Sequence, residues 1–137
     1  MRVYILSRNK ELYSTKRLIE AGEQRGWDIQ VIDYLKCSIE IMKGELHINY
    51  QGKQLPIPDA IIPRIGASRT FYGTAMVRHF EMMDVFSTSG NLAIARSRDK
   101  LRSLQVLSKH NVDMPRTVFA SNKSTAKDVI ALSGGAP

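Results

Sequence analysis

The fold is decided by the opening stretch Met1-Arg2-Val3-Tyr4-Ile5-Leu6-Ser7-Arg8-Asn9-Lys10 and by the two elements next in the chain. Val3 to Leu6 is a short apolar, partly β-branched run of the kind that forms a buried strand, and Ser7 to Lys10 is a polar exit loop. A helical pattern then begins between Glu11 and Ser14 and carries Leu12, Thr15, Ile19 and Gly22 at helical spacing. It should stop near Arg25-Gly26, because glycine takes the left-handed conformation that ends a helix. Ile29 to Asp33 returns as a second strand. A strand, a helix and a strand in that order need a crossover, which makes the two strands parallel with a helix on the sheet face. The fold class is therefore α/β.

Working outward, the pattern changes between Cys37 and Pro58. Glu45 to Tyr50 alternates, Gln51-Gly52 offers a turn, and Lys53-Gln54-Leu55 returns, which predicts a small hairpin insertion. Asp59 to Pro63 is a third strand ended by proline, and it feeds the basic loop Arg64-Ile65-Gly66-Ala67-Ser68-Arg69. Tyr72, Met76, Phe80 and Met83 then share one helical face, predicting a core-facing helix over 70–84 with Ser68 or Thr70 as its N-cap. Phe86 to Thr88 reads as a fourth short strand and Asn91 to Arg96 as a helical turn. Asp99 is a favoured N-cap for a helix carrying Leu101, Leu104 and Leu107; Asn111 can end it in the left-handed conformation, and Pro115 prevents continuation. Thr117 to Ala120 predicts a strand. Ser124 or Thr125 caps a last helix with Val129, Ile130 and Leu132 apolar, closed by Gly134-Gly135.

Composition bounds the function. With 137 residues the chain buries the core of one ordinary domain with at most an appendage, and 43% hydrophobic against 24% charged residues is globular. No apolar run approaches the roughly 20 residues of a bilayer span, and the opening run is too short for a secretory signal. Cys37 stands alone, which precludes an intrachain disulfide and suits a reducing cytoplasm. A formal charge of +7 favours an anionic partner, whether nucleotide, acidic peptide or ribosomal surface. Neither a G-x-G-x-x-G nor a G-x-x-x-x-G-K-[ST] occurs, and the first strand ends in Ser7-Arg8 rather than the acidic residues a phosphoacceptor site needs. His47, His79 and His110 are scattered over different elements without ligand spacing, so no metal site is expected.

What remains is a set of cationic loops that come after strands, and in an open α/β sheet ligands gather outside the carboxyl ends of strands. Arg8 and Lys10 lie in the first loop, and Lys16 and Arg17 near the start of the next helix, where the dipole prefers negative charge. An acidic ligand there and solvated surface lysines are equally compatible readings. In Pro63-Arg64-Ile65-Gly66, proline fixes the strand exit, arginine offers a planar fork for a carboxylate or phosphate, and glycine permits close approach to the backbone. Arg64 is thus the leading substrate contact, with a salt bridge holding the loop as its alternative. Arg69 and Tyr72 stand close behind it in sequence, although Tyr72 also fits the core stripe. The run Ala95-Arg96-Ser97-Arg98-Asp99-Lys100 puts cations at a helix start, where they meet phosphates or simply solvent.

Taken together, Ile5-Leu6-Ser7-Arg8, Leu12-Tyr13-Ser14, Pro63-Arg64-Ile65-Gly66, Phe71-Tyr72-Gly73-Thr74-Ala75, Ala93-Ile94-Ala95-Arg96 and Arg98-Asp99-Lys100-Leu101-Arg102-Ser103 closely resemble the opening of the RimK family. The resemblance runs from Met1 to Pro137 in ordered blocks. It implies a Rossmann-like pre-ATP-grasp domain over 1–95, with a mostly parallel sheet flanked by helices. From 96 it implies the start of an ATP-grasp domain, truncated at Pro137. It further implies an ATP-dependent carboxylate–amine ligase, using ATP and magnesium through an acyl phosphate. That ligase would add glutamate to the C-terminus of the sixth small-subunit ribosomal protein.

On that resemblance Lys100 is the nucleotide contact, and Arg64, Arg8, Arg69 and Tyr72 form the substrate side. The magnesium ligands and the second ATP lysine would lie past Pro137, so the chain alone would hold no catalytic residue and be inactive. A cytoplasmic protein without membrane contact is expected; homo-oligomerisation is left open. The rival reading is a non-catalytic basic module that binds an acidic protein tail or ribosomal RNA.

Overall fold

The structure is a computed structural model that describes residues 1–122 and 126–135; the Ser124 or Thr125 cap lies outside the described residues. It divides into two compact units, residues 1–98 and the remainder from Asp99. At the centre of the first lies β1 (Arg2–Leu6), paired in parallel with β2 (Asp28–Ile32) on one side and β6 (Ala60–Pro63) on the other. With β7 (Phe86–Ser87) the sheet order is β2-β1-β6-β7, all parallel. Val3, Tyr4, Ile5 and Leu6 are each no more than 1% exposed. A strand covered on both faces reads as a continuous apolar run rather than an alternation, which is why this stretch is so legible. Each such aliphatic side chain contributes about 1.5–3 kcal/mol through its burial.

Helix α1 (Tyr13–Glu23) connects β1 to β2 and buries Thr15 and Gly22. The expected glycine stop forms: Gly26 has φ +70°, and the Trp27 N–H reaches back to the Gly22 carbonyl at 3.1 Å. The cations near the start of α1 have carboxylate partners within the chain, an arrangement that neither reading anticipated. Lys16 is met by Glu11 at 2.8 Å and Arg17 by Glu20, so neither calls for an external anion.

The insertion is larger than a hairpin. It is an antiparallel meander of β3 (Cys37–Met42), β4 (Glu45–Tyr50) and β5 (Lys53–Gln54). Strand β3 goes unforeseen because its Ser38-Ile39-Glu40-Ile41 alternation begins directly after a 3-10 turn over Tyr34–Lys36, and its pairing depends on the Lys43-Gly44 turn. The Gln51-Gly52 turn has φ +52° and +79°, the doubly left-handed geometry that matches strand twist.

Helix α2 (Thr70–Met82) buries Met76 and Phe80 fully, with Tyr72 and Met83 half-buried on the same face. Neither Ser68 nor Thr70 caps it. A 3-10 turn over Ala67–Arg69, closed by the Arg69 N–H on the Gly66 carbonyl at 3.1 Å, runs straight into the helix. Thr70 Oγ1 instead donates back to the Ala67 carbonyl. Two bonds tie α2 to the insertion: Tyr72 Oη donates to the Cys37 carbonyl at 2.7 Å, and His79 Nε2 to the His47 carbonyl at 3.1 Å. After β7, α3 (Asn91–Arg98) is held to α2 by the Glu81 carboxylate, which accepts from the Asn91 backbone and side-chain amides. It is a full helix, continuous through positions 95 and 96, where a single turn was expected.

In the second unit, Asp99 caps α4 (Lys100–Lys109) by accepting from the Arg102 N–H at 3.0 Å. The helix ends as expected, with Asn111 at φ +55° and the Val112 N–H on the Leu107 carbonyl. The strand expected over Thr117–Ala120 is absent: the segment joins no ladder among the described residues, and β-propensity does not make a strand without a partner edge. Helix α5 (Ala126–Ser133) closes at Gly134-Gly135.

Two consequences of the α2 packing are measurable. A Cβ built on Gly73 would sit 2.2 Å from Ile65 Cγ2. Gly73→Ala should therefore lower stability by about 1–3 kcal/mol, read as a lower urea midpoint at unchanged slope. His79 is 4% exposed, and burial depresses its imidazole below the ordinary value of 6.5. The unfolded chain then binds more protons than the fold as pH falls through about 6.5, so this contribution is full above that value and is lost on acidification. The urea midpoint should fall between pH 7 and 5.5, and His79→Gln, which keeps a donor toward the His47 carbonyl, should flatten the slope.

Candidate functional site

The chain leaves β1 toward β2 on one side and, after the insertion, returns to β6 on the other. Strand order across the sheet thus reverses between β1 and β6, where crevices open at carboxyl ends. A cleft of about 400 Å³ lies there, lined by Ser7, Leu12, Pro63, Arg64, Ile65, Gly66 and Arg98.

Each wall arises from local structure. Strand pairing carries one bond beyond β6, from the Arg64 N–H to the Leu6 carbonyl at 3.0 Å, which fixes where the loop departs. Ile65 turns inward and is 6% exposed, while Arg64 and Gly66 on either side face solvent. The Arg64 guanidinium donates to Ser14 Oγ, a neutral partner that orients it without cancelling its charge. Arg98, from the last turn of α3, donates Nη2 to the Ile65 carbonyl at 2.8 Å. Two guanidinium groups therefore border one cleft, each held by a neutral acceptor. That arrangement suits a carboxylate or a phosphate, which takes charge-assisted, bidentate bonds from arginine.

Gly66 has φ −71° and ψ +148°, ordinary extended geometry, and a Cβ there would meet nothing within 4 Å. Neither the backbone nor packing requires a glycine, and the room it leaves opens onto the cleft.

The other sequence candidates separate. Arg8 lines a neighbouring hollow with Lys10 rather than the Arg64 cleft. Arg69 occupies the N-cap position of α2, exposed, and is not among the residues lining the cleft. Tyr72 commits its hydroxyl to the Cys37 carbonyl, and burial raises its pKa; it joins α2 to the insertion. Lys100 belongs to the second unit, exposed in the first turn of α4 beside the capping Asp99. Ser14 and Arg98 were absent from the substrate-side set. Both sat in view, Ser14 at the start of α1 and Arg98 in the basic run that closes α3, but their partners are 50 and 33 residues away. Cys37 is buried and its thiol is pushed up to about 12, which removes it as a nucleophile. No group of three or more His, Cys, Asp or Glu among the described residues could hold a metal ion.

A parallel sheet flanked by helices with a cationic cleft at its switch point defines an open α/β domain with an edge suited to an anion. Residues 1–94 match the family described as the RimK PreATP-grasp domain, and the chain belongs to that family. It is 56% identical over 137 residues to a probable alpha-L-glutamate ligase of Psychromonas ingrahamii. It is 57% identical over the same length to one of Vibrio parahaemolyticus. These matches cover the whole chain but 45% and 46% of the relatives, so it spans just under half their length. Among solved structures it resembles macrocyclase MdnB from Microcystis aeruginosa MRC, with TM-score 0.68, 16% identity, and coverage of 96% of this chain and 58% of that one. It also resembles macrocyclase MdnC bound with precursor peptide MdnA, with TM-score 0.63 at the same identity, over 96% of this chain and 50% of that one. At that identity the likeness speaks for the fold.

If Gly66 serves the cleft and not the fold, the two roles separate on substitution. Gly66→Ala should leave stability unchanged or raise it by up to about 1 kcal/mol, as a Gly→Ala change does where the backbone fits alanine. It should also weaken binding of small carboxylates to the cleft, as read by urea unfolding and NMR titration of the same protein.

Proposed function

We propose that this chain forms the substrate side of an ATP-dependent carboxylate–amine ligase that joins glutamate to the C-terminus of an acidic protein tail. By the family resemblance that tail belongs to the sixth small-subunit ribosomal protein. The observation that carries the reading is the cleft at the β1–β6 switch point, with Arg64 and Arg98 at its border, in a chain whose relatives are named glutamate ligases. In such a reaction a carboxylate oxygen attacks the γ-phosphorus of ATP, giving an acyl phosphate and ADP. An amine then attacks the carbonyl and releases phosphate.

Arg64 binds and orients a substrate carboxylate, with Ser14 fixing the guanidinium and Arg98 fixing the loop. Arg8 and Arg69 add positive potential at the same sheet edge, and Tyr72 supports α2 behind it. Lys100 is assigned to a phosphate of ATP as a mobile point charge. The described residues hold no cluster suited to magnesium, so no step is assigned to a metal here. Residues 1–95 are assigned to the pre-ATP-grasp domain and those from 96 to the start of the ATP-grasp domain; the chain by itself is inactive. No described helix is long and apolar enough to cross a membrane, and the lone free Cys37 fits a cytoplasmic setting.

In a ligase of the relatives' full length that carries this sequence, Arg64→Ala should raise KM for the acidic substrate at least tenfold while KM for ATP changes less than twofold. Removing a charged hydrogen bond of about 1.5–3 kcal/mol has that size. Equal effects on both substrates, or no effect, would remove Arg64 from the substrate site.

A further inference from the structure

A second hollow, of about 370 Å³, opens beside the first and is lined by Ser7, Arg8, Lys10, Val31, Asp33, Lys36 and Tyr50. Ser7 lines both, and it is a fixed partition: 3% exposed, its Oγ accepts from the Asn9 N–H and donates to the Asn9 carbonyl. The first hollow lies over the gap between β1 and β6, the second over the gap between β1 and β2. Neighbouring gaps in a sheet are spaced by about 5 Å.

Each hollow carries a formal charge of +2, from Arg64 and Arg98 in one, and from Arg8, Lys10 and Lys36 against Asp33 in the other. The single carboxylate is engaged, its Oδ1 accepting from the Leu35 N–H and its Oδ2 lying 3.9 Å from Lys36. Arg8 and Lys10 have no hydrogen-bond or ion-pair partner among the described residues, unlike Arg2, Lys16 and Arg17, which are each met by a carboxylate. Two positive hollows about one strand spacing apart, divided by one buried serine, each keep a net positive charge, which Asp33 offsets only in part.

We infer that the Arg8–Lys10–Lys36 hollow is a second anion site, and that the two hollows together take one ligand carrying two carboxylates across Ser7. This deepens the reading of Arg64 as a carboxylate contact and rests on it. The ligand class is a short dicarboxylate, whose sources are a free acidic amino acid or the acidic end of a peptide. A single glutamate, with its α- and side-chain carboxylates, and a C-terminal glutamate of a tail share that chemistry.

The test is NMR titration of the isotope-labelled chain with acetate, glutarate, glutamate and the peptide Glu-Glu at low salt. Four proteins are compared: unmodified, Arg8→Gln/Lys10→Gln, Arg64→Gln, and the combined variant. The replaced side chains are exposed, and the spectra report folding directly. Glutarate should shift resonances of both loops, 7–10 and 64–66, and bind at least tenfold more tightly than acetate. Arg8→Gln/Lys10→Gln should lower glutarate affinity about tenfold and leave acetate shifts at 64–66 within twofold. Free glutamate binding as tightly as Glu-Glu marks the amino acid as the ligand, and tighter Glu-Glu binding marks the peptide end; both support the two-site arrangement. Glutarate binding no tighter than acetate, or unaffected by the Arg8→Gln/Lys10→Gln change, overturns it while leaving Arg64 in place. Loss of acetate shifts at 64–66 is expected for Arg64→Gln; their persistence overturns the Arg64 reading instead.

Discussion

Parallel pairing of β1 on both edges is the constraint on which the rest depends. Its four central side chains are out of water on both faces, and its backbone groups have partners only if β2 and β6 lie alongside in register. A buried strand that lost either neighbour would carry unsatisfied amides and carbonyls, each costing about 1–3 kcal/mol. The chain must therefore travel to one side for β2 and come back to the other for β6. That excursion creates the reversal at the carboxyl edge, and the cleft is its geometric by-product. The insertion occupies the return path, and Tyr72 and His79 fasten it to α2 through backbone carbonyls rather than through apolar contact alone.

Charge is placed with the same selectivity. Arg2, at the amino end of β1, is held by Asp28, which also raises its pKa and is itself lowered by Gln30 and Arg2. At the carboxyl end, Arg64 and Arg98 are oriented by a hydroxyl and a carbonyl, which aim a guanidinium while leaving its charge uncompensated. A cation tied to a carboxylate offers little to a ligand; one tied to a neutral acceptor is both preorganised and available. This difference in partner chemistry, more than the net charge of +7, singles out one sheet edge.

Much of this was legible in the residues because it depends on local chemistry. Val3 to Leu6, Gly26, Asp99 and Asn111 each specify a conformation through their own side chain or its absence, and each adopts the conformation its chemistry predicts. Arg64 and Gly66 reached the cleft because a strand exit is a local event. What escaped depended on partners distant in sequence. Strand β3 needed β4 to be a strand at all, Thr117 to Ala120 had the composition of a strand without an edge to join, and Lys16 and Arg17 looked unbalanced until Glu11 and Glu20 were seen beside them. The roles of Ser14 and Arg98 are set by bonds that span tens of residues, which no window of sequence displays.

The loop after β6 alternates sharply: Ile65 is sealed against Gly73, whereas Arg64 and Gly66 project the other way. The side chain that anchors the turn is thus a buried one, while the exposed positions on either side of it border the cleft. Residues at 64 and 66 can therefore be exchanged without disturbing the close packing of 65 on 73. A scaffold of this kind can change its clientele without having to relearn how to fold.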